Sequence, residues 1–159
     1  MKRIEVREDL CSGCRACEVA CVAEHESRFG TAEARIRVTK IEALGLDRPH
    51  VCRLCRRAPC VASCPTGALT ISDATGAVLL SSDLCTGCAE CVSACPFGAA
   101  SLHPGSGLAL VCDLCGGDPA CVKRCATGAI QYLGVYAGAK AKRERLALNV
   151  HAAQEECLE

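Results

Sequence analysis

The sequence predicts a small α+β protein of two tandem, pseudo-symmetric units, each made of short strands and short helices, followed by a C-terminal helix. Three observations carry that expectation. Sixteen of the seventeen cysteines fall into four blocks of one pattern: C-x₂-C, a short gap, C, then x₃-C. The blocks recur in the order A-B-A′-B′ along 159 residues. Two Phe, two Tyr and no Trp leave few large side chains for a core, so something other than aromatic packing must fill the interior.

The repeat can be followed residue by residue. Asp9-Leu10-Cys11-Ser12-Gly13-Cys14 returns as Asp83-Leu84-Cys85-Thr86-Gly87-Cys88. Val51-Cys52-Arg53-Leu54-Cys55 returns as Val111-Cys112-Asp113-Leu114-Cys115, and Thr66-Gly67-Ala68 as Thr127-Gly128-Ala129. Six runs between the blocks, 3–6, 36–41, 69–71, 78–80, 108–111 and 130–133, are rich in Val, Ile and Thr and read as strands. The x₃ spacing before each fourth cysteine suits a helical turn that carries the thiol inward. Residues 22–50 form the longest cysteine-free interval in the array and are expected to pack over the blocks or against a partner. From about Gly138 the composition turns to Ala, Lys, Arg, Glu and Leu, which favour helix. Leu146, Val150, Ala153 and Cys157 then share one stripe, which predicts a helix packed on its own domain, with a docking helix for a partner subunit as the rival. Cys157 on that stripe reads as a small buried hydrophobe.

Four thiolates are what one [4Fe–4S] cube needs, one per iron, and C-x₂-C-x₂-C-x₃-C-P is the bacterial ferredoxin signature. The blocks are Cys11/Cys14/Cys17/Cys21, Cys52/Cys55/Cys60/Cys64, Cys85/Cys88/Cys91/Cys95 and Cys112/Cys115/Cys121/Cys125. In that motif the loop wraps three irons of one cube, and the cysteine after x₃ ligates the other cube. Blocks must therefore pair, and spacing alone leaves open whether neighbours pair or the pairing is nested. The metal-free chain is expected to be largely unfolded, because ligands converge from distant segments. No apolar export segment or twin arginine precedes the first block, and no run has the apolar length of a membrane span, so a cytoplasmic, reducing location and free thiols are expected rather than disulfides. Formal charge is zero without clusters. Four cubes at about −2 each make the loaded protein acidic, a poor match for nucleic acid.

Residues 1–135 resemble the four-cluster, ferredoxin-like electron-transfer subunits of molybdenum and tungsten oxidoreductases, the dimethyl sulfoxide reductase small-subunit type. The resemblance rests on all four blocks with their unequal gaps, x₄ between Cys55 and Cys60 and x₅ between Cys115 and Cys121, and on the run CDLCGGDPACVKRC. In look it is nearest the small subunit of tungsten aldehyde oxidoreductase. The resemblance implies tandem bacterial-ferredoxin-like units, two 2×[4Fe–4S] pairs, with nested ligands. Cys11, Cys14 and Cys17 would share a cube with Cys125, and Cys112, Cys115 and Cys121 one with Cys21. Cys52, Cys55 and Cys60 would take Cys95, and Cys85, Cys88 and Cys91 would take Cys64. The outer unit would then join 1–21 with 112–135, the inner would span 50–104, and 136–159 would form the helical tail. Pro65 and Pro96 follow their cysteines as in the signature, whereas Val22 and Ala126 replace the proline in the outer blocks.

Rival chemistries fit poorly. Zinc sites commonly use two C-x₂-C pairs a dozen or more residues apart, and here four cysteines crowd into that length. His25, His50, His103 and His151 share no ligand spacing with one another and read as surface or satisfied loop histidines, with His25 and His50 placed beside the blocks to tune them. No G-x-G-x-x-G, phosphate loop or H-E-x-x-H is present. Sixteen cysteines for four cubes leave no iron open to substrate. The expected role is therefore a non-catalytic wire passing single electrons from a pterin- or nickel-containing catalytic subunit to ferredoxin or a flavin subunit, with self-association into arrays as a further expectation. The alternatives are the ferredoxin of a carbon monoxide dehydrogenase, hydrogenase or formate dehydrogenase, or a free polyferredoxin.

Overall fold

The computed structural model describes residues 2–156. Each strand is short and each is separated from the next by a cysteine loop or a turn, so every described sheet is a two-stranded antiparallel ribbon. Strand β1 (Lys2–Val6) does not pair with its neighbour in sequence. It crosses the whole array to β8 (Ile130–Gly134), in register from Lys2 opposite Gly134 to Val6 opposite Ile130. That long-range ribbon sets the first cysteine loop beside the segment that follows the last block.

Helix packing follows the same logic. Helix α1 (Ala16–Glu26) packs on α4 (Ala120–Arg124), and α2 (Pro59–Ala62) on α3 (Glu90–Ala94). Around α1 and α4 lies one apolar cluster built on Ile4, Val22, Ile36, Val38, Leu114 and Ile130 with Cys17, Cys21, Cys112 and Cys121. Around α2 and α3 lies a second, with Leu69, Val78, Cys91, Ala109 and Val111. Ribbons β4 (Leu69–Ile71) with β5 (Val78–Leu80), and β6 (Ser101–Leu102) with β7 (Ala109–Leu110), border the second cluster. Cysteines are members of both clusters, so thiols stand where large aliphatic side chains would otherwise pack.

Residues 22–50 lengthen α1 to Glu26 and form the hairpin β2 (Arg37–Ile41) with β3 (Leu46–His50). The hairpin gives Val38 to the first cluster, as the strand's approach gives Ala34 and Ile36. The buried Glu18 carboxylate accepts a hydrogen bond from the Val38 N–H at 2.6 Å and ties α1 to β2. Strand β3 was not expected, since it holds Asp47, Arg48 and Pro49. Pro49 is tolerated because its partner Val38 directs its N–H to Glu18, away from the ribbon, so the pair asks no N–H of the proline.

Helix α5 (Val135–Glu156) begins three residues before the expected Gly138 and touches β8 and β1 through its start, where Gly138 is buried against Glu5. The expected stripe does not find cover at its first position, because Leu146 is 51% exposed. The side chains of Val150 and Ala153, and Cys157, lie outside the described residues. No described helix is long and apolar enough to cross a membrane.

The four C-x₂-C turns share one backbone device. The residue before the second cysteine is left-handed in each: Gly13 (φ 65), Leu54 (φ 49), Gly87 (φ 69) and Leu114 (φ 59). Glycine adopts that conformation freely, whereas leucine pays roughly 1–2 kcal/mol for its β-carbon. Leu54 and Leu114 are 8% and 1% exposed, and burying such a side chain returns about 1.5–3 kcal/mol. The A blocks thus use glycine where a β-carbon would collide with Asp47 or with the Gly107 carbonyl, and the B blocks use leucine where the turn faces the core. Leu114→Ala keeps the backbone strain and loses the packing, so it is expected to cost about 2–5 kcal/mol. Leu114→Gly relieves the strain and is expected to be no worse than Leu114→Ala, as read from guanidinium midpoints of cluster absorbance.

Candidate metal centres

The structure gathers the thiols into sets of four drawn from different blocks. Cys11, Cys14, Cys17 and Cys125 line one cavity. Cys21, Cys112, Cys115 and Cys121 line a second, and Cys64, Cys85, Cys88 and Cys91 a third. Cys52 lies within electrostatic reach of Cys55, Cys60 and Cys95, which makes the fourth set. Each set holds three thiols from one loop and the fourth thiol of another block. Electrostatic coupling between sets gives an order. Cys121 feels the charge of Cys17, Cys112 that of Cys52, and Cys91 that of Cys60. The four sets therefore form a row whose ends are the Cys11 set and the Cys64 set, and Cys14 and Cys88 at those ends are exposed.

Local backbone geometry explains how the loops present sulfur. The left-handed turns swing the N–H groups of Gly13, Leu54 and Leu114 onto the thiols of Cys11, Cys52 and Cys112. Each fourth cysteine has its own donor. Cys21 accepts from the Arg35 N–H at 3.3 Å and Cys95 from the Ala99 N–H at 3.4 Å. The hydroxyls of Thr66 and Thr127 lie 3.7 Å from the sulfurs of Cys64 and Cys125. This accounts for the recurrent Thr-Gly-Ala after the fourth cysteine, a repeat visible in the sequence whose purpose was not. The Thr66 hydroxyl holds the Cys64 thiol below its ordinary range. For Cys125, burial pushes upward, but the Thr127 hydroxyl and the N–H groups of Ile130, Ala129 and Gly128 prevail, and that thiol is lowered too.

Most of the other shifted thiols move the opposite way. Burial first, and then the Glu18 charge, pushes Cys17 up to about 12. Burial, with Cys21, Cys115 and Cys17 nearby, raises Cys121 to about 12. Burial likewise raises Cys11, Cys21, Cys52, Cys60, Cys91, Cys112 and Cys115. Such walls cannot hold thiolates unless a cation arrives to balance them. Four thiols facing one cavity is the donor set of an iron–sulfur cube, and the residues fit that group. A second observation agrees. Arg35 lines the Cys21 cavity, and its Nη1 is buried without a hydrogen-bond partner. A buried donor left without a partner costs about 1–3 kcal/mol, and an anionic cluster bound by four thiolates would supply one beside it.

The histidines divide. His103 is a satisfied loop residue, its Nδ1 accepting from Gly105 and Ser106 at 3.0 Å each. His50 lines an open cleft with Arg48, Arg53 and Phe97, and His151 lies outside the described side chains. His25 stands beside Cys115, with Nε2 3.6 Å from its sulfur. Arg35 was not singled out by any motif.

Residues 46–135 match the model of the 4Fe-4S dicluster domain, and residues 8–22 match that of a 4Fe-4S binding domain. The chain belongs to the 4Fe-4S dicluster domain family. It is 42% identical over 110 residues to the polyferredoxin-like subunit of the aliphatic sulfonate oxidoreductase of Pyrococcus furiosus, covering 69% of this chain and 63% of that one. It is 36% identical over 112 residues to the thiosulfate reductase electron transfer subunit PhsB of Salmonella typhi, covering 67% and 58%. The chain thus spans less than two thirds of the length of these relatives. A chain of the benzoyl coenzyme A reductase complex BamBC, as isolated, aligns over 98% of this chain and 97% of its own at 27% identity, with a TM-score of 0.49.

Because the raised thiols must shed protons to bind iron, loading is expected to release protons throughout the range below about pH 12, the value to which Cys17 and Cys121 are pushed. Competition from protons grows as pH falls, so iron retention against a chelator should be weaker at pH 6 than at pH 8. The check is anaerobic chelator challenge followed by visible absorbance.

Proposed function

We propose that this chain is a non-catalytic electron-transfer subunit that relays single electrons along four [4Fe–4S] clusters, between the catalytic subunit of an oxidoreductase and a second carrier. The observation that carries the reading is the row of four thiol sets, each complete with four sulfurs and each within reach of the next. When bound, each cube supplies a one-electron couple. The chain's own residues do the rest. Sixteen cysteines hold the irons, apolar walls such as Val38, Ile36, Leu69 and Ala109 keep water from the sulfurs, and N–H and hydroxyl donors share the charge on them. With all four sulfurs of a set engaged, no corner is left open for substrate.

The proposed ligand sets are Cys11, Cys14, Cys17 with Cys125; Cys112, Cys115, Cys121 with Cys21; Cys52, Cys55, Cys60 with Cys95; and Cys85, Cys88, Cys91 with Cys64. The corresponding units are an outer one, 1–21 with 112–135, and an inner one, 50–104. Phe29, Tyr136 and Leu44 are exposed at 91%, 92% and 67%, and a permanently docked partner would have them to cover. The relatives named above are subunits of sulfonate and thiosulfate chemistry, and a pterin-bound tungsten or molybdenum partner, an aldehyde oxidoreductase in the finer reading, rests on the sequence resemblance.

Two experiments test this. Cys125→Ala is expected to alter the cube held by Cys11, Cys14 and Cys17, leaving the other three spectroscopic components in place. Loss of the component held by Cys112, Cys115 and Cys121 would contradict the nested sets. Anaerobic purification of the tagged chain from its native host is expected to bring a catalytic subunit containing tungsten or molybdenum. Nickel would move the partner to carbon monoxide dehydrogenase or hydrogenase, and a lone iron-loaded chain would favour a free carrier.

A further inference from the structure

Three groups outside the cysteine pattern converge on the cavity of Cys21, Cys112, Cys115 and Cys121. Arg35 reaches it twice. Its backbone N–H donates to Cys21, and its guanidinium, with Nη1 buried and unpartnered, acts on the Cys21 thiol through its charge. No carboxylate forms an ion pair with it among the described residues. His25, on α1, has Nε2 3.6 Å from the Cys115 sulfur and 3.4 Å from Asp113 Oδ1. A carboxylate and a metal-bound thiolate can only accept, so the ring must carry its proton on Nε2. Asp113 also accepts from the Cys115 N–H at 3.0 Å, which fixes its carboxylate against the loop. The His25 nitrogen, the Asp113 oxygen and the Cys115 sulfur all lie within 4.8 Å of one another.

Two of the other three sets lack this arrangement. The wall around Cys64, Cys85, Cys88 and Cys91 has no charged side chain, and that around Cys11, Cys14, Cys17 and Cys125 has only Arg15, which is exposed. A charge near a cube acts on its two redox states unequally, because reduction adds one negative charge. A buried cation or an N–H directed at sulfur favours the reduced state, and a carboxylate opposes it.

We propose that Arg35, His25 and Asp113 form a potential-setting group for the second position of the row, with Arg35 and His25 raising its reduction potential and Asp113 lowering it. This rests on the electron-transfer reading above and deepens it. The three are positioning residues that touch the ligands, and none replaces one. Reduction at this position gains from the Arg35 charge without any acid or base taking part, so no proton need move with the electron.

The test is an EPR-monitored redox titration of the full, iron-loaded chain, with iron counted for every variant. In Arg35→Met one component, and one alone, is expected to lose about tenfold or more in its reduction equilibrium constant, which is about 59 mV downward for each tenfold step in a one-electron couple. Arg35→Lys should restore most of that shift, and His25→Leu should move the same component in the same direction. Asp113→Asn should move it the opposite way. A merely structural role for these residues would lower iron content without opposite-signed shifts at one component. If Arg35→Met fails to load iron, the opposed pair His25→Leu and Asp113→Asn decides. The proposal is overturned if the four variants leave every component within twofold of the native protein, or if the shifts fall on different components. A chain that binds no iron in any form would instead overturn the electron-transfer reading itself.

Discussion

Everything in this chain answers to one constraint: many thiols must be held close together in an interior too poor in large side chains to pack without them. Buried thiols resist ionisation, as Cys17 and Cys121 show, and a set of four cannot ionise without a cation in its midst. Metal binding and folding are therefore expected to be one process here. The ribbons are too short to stand alone, and the two apolar clusters count cysteines among their members.

Topology turns that constraint into a row. Because β1 pairs with β8 across the full array, and α1 packs on α4 as α2 packs on α3, the blocks meet outer with outer and inner with inner. Cys21 lies within α1, Cys95 and Cys125 cap the ends of α3 and α4, and Cys64 follows the end of α2 by two residues, each with its sulfur among thiols of another block. The same swap that completes each set also brings neighbouring sets into reach. On the proposed electron-transfer reading, electrical continuity and mechanical closure come from the same connections.

Much of this was legible in the sequence because cysteine spacing speaks directly to chemistry. The runs 69–71 and 78–80 appear as strands with the expected bounds, since β-branched and aliphatic residues dominate them and turns flank them. Strand β3 was hidden by Pro49 and its charged neighbours, which are acceptable only because Glu18 takes the Val38 N–H. Ser101–Leu102 is too short to leave a pattern. The stripe on α5 was read as a packed face, yet Leu146 is exposed, because periodicity reports which residues share a side and not whether anything covers it. Thr66 and Thr127 were seen as a repeat, with their closeness to sulfur visible only in three dimensions. Arg35 had no signal at all. It stands outside every block, and only the fold reveals that a lone guanidinium ends up against four thiols.

The most direct measurement of the central claim is the iron and acid-labile sulfide content of the full chain purified without oxygen. Four complete thiol sets predict about sixteen of each per chain. Eight or fewer would mean that at least half the sets are not cluster sites, and zinc in place of iron and sulfide would contradict the account outright.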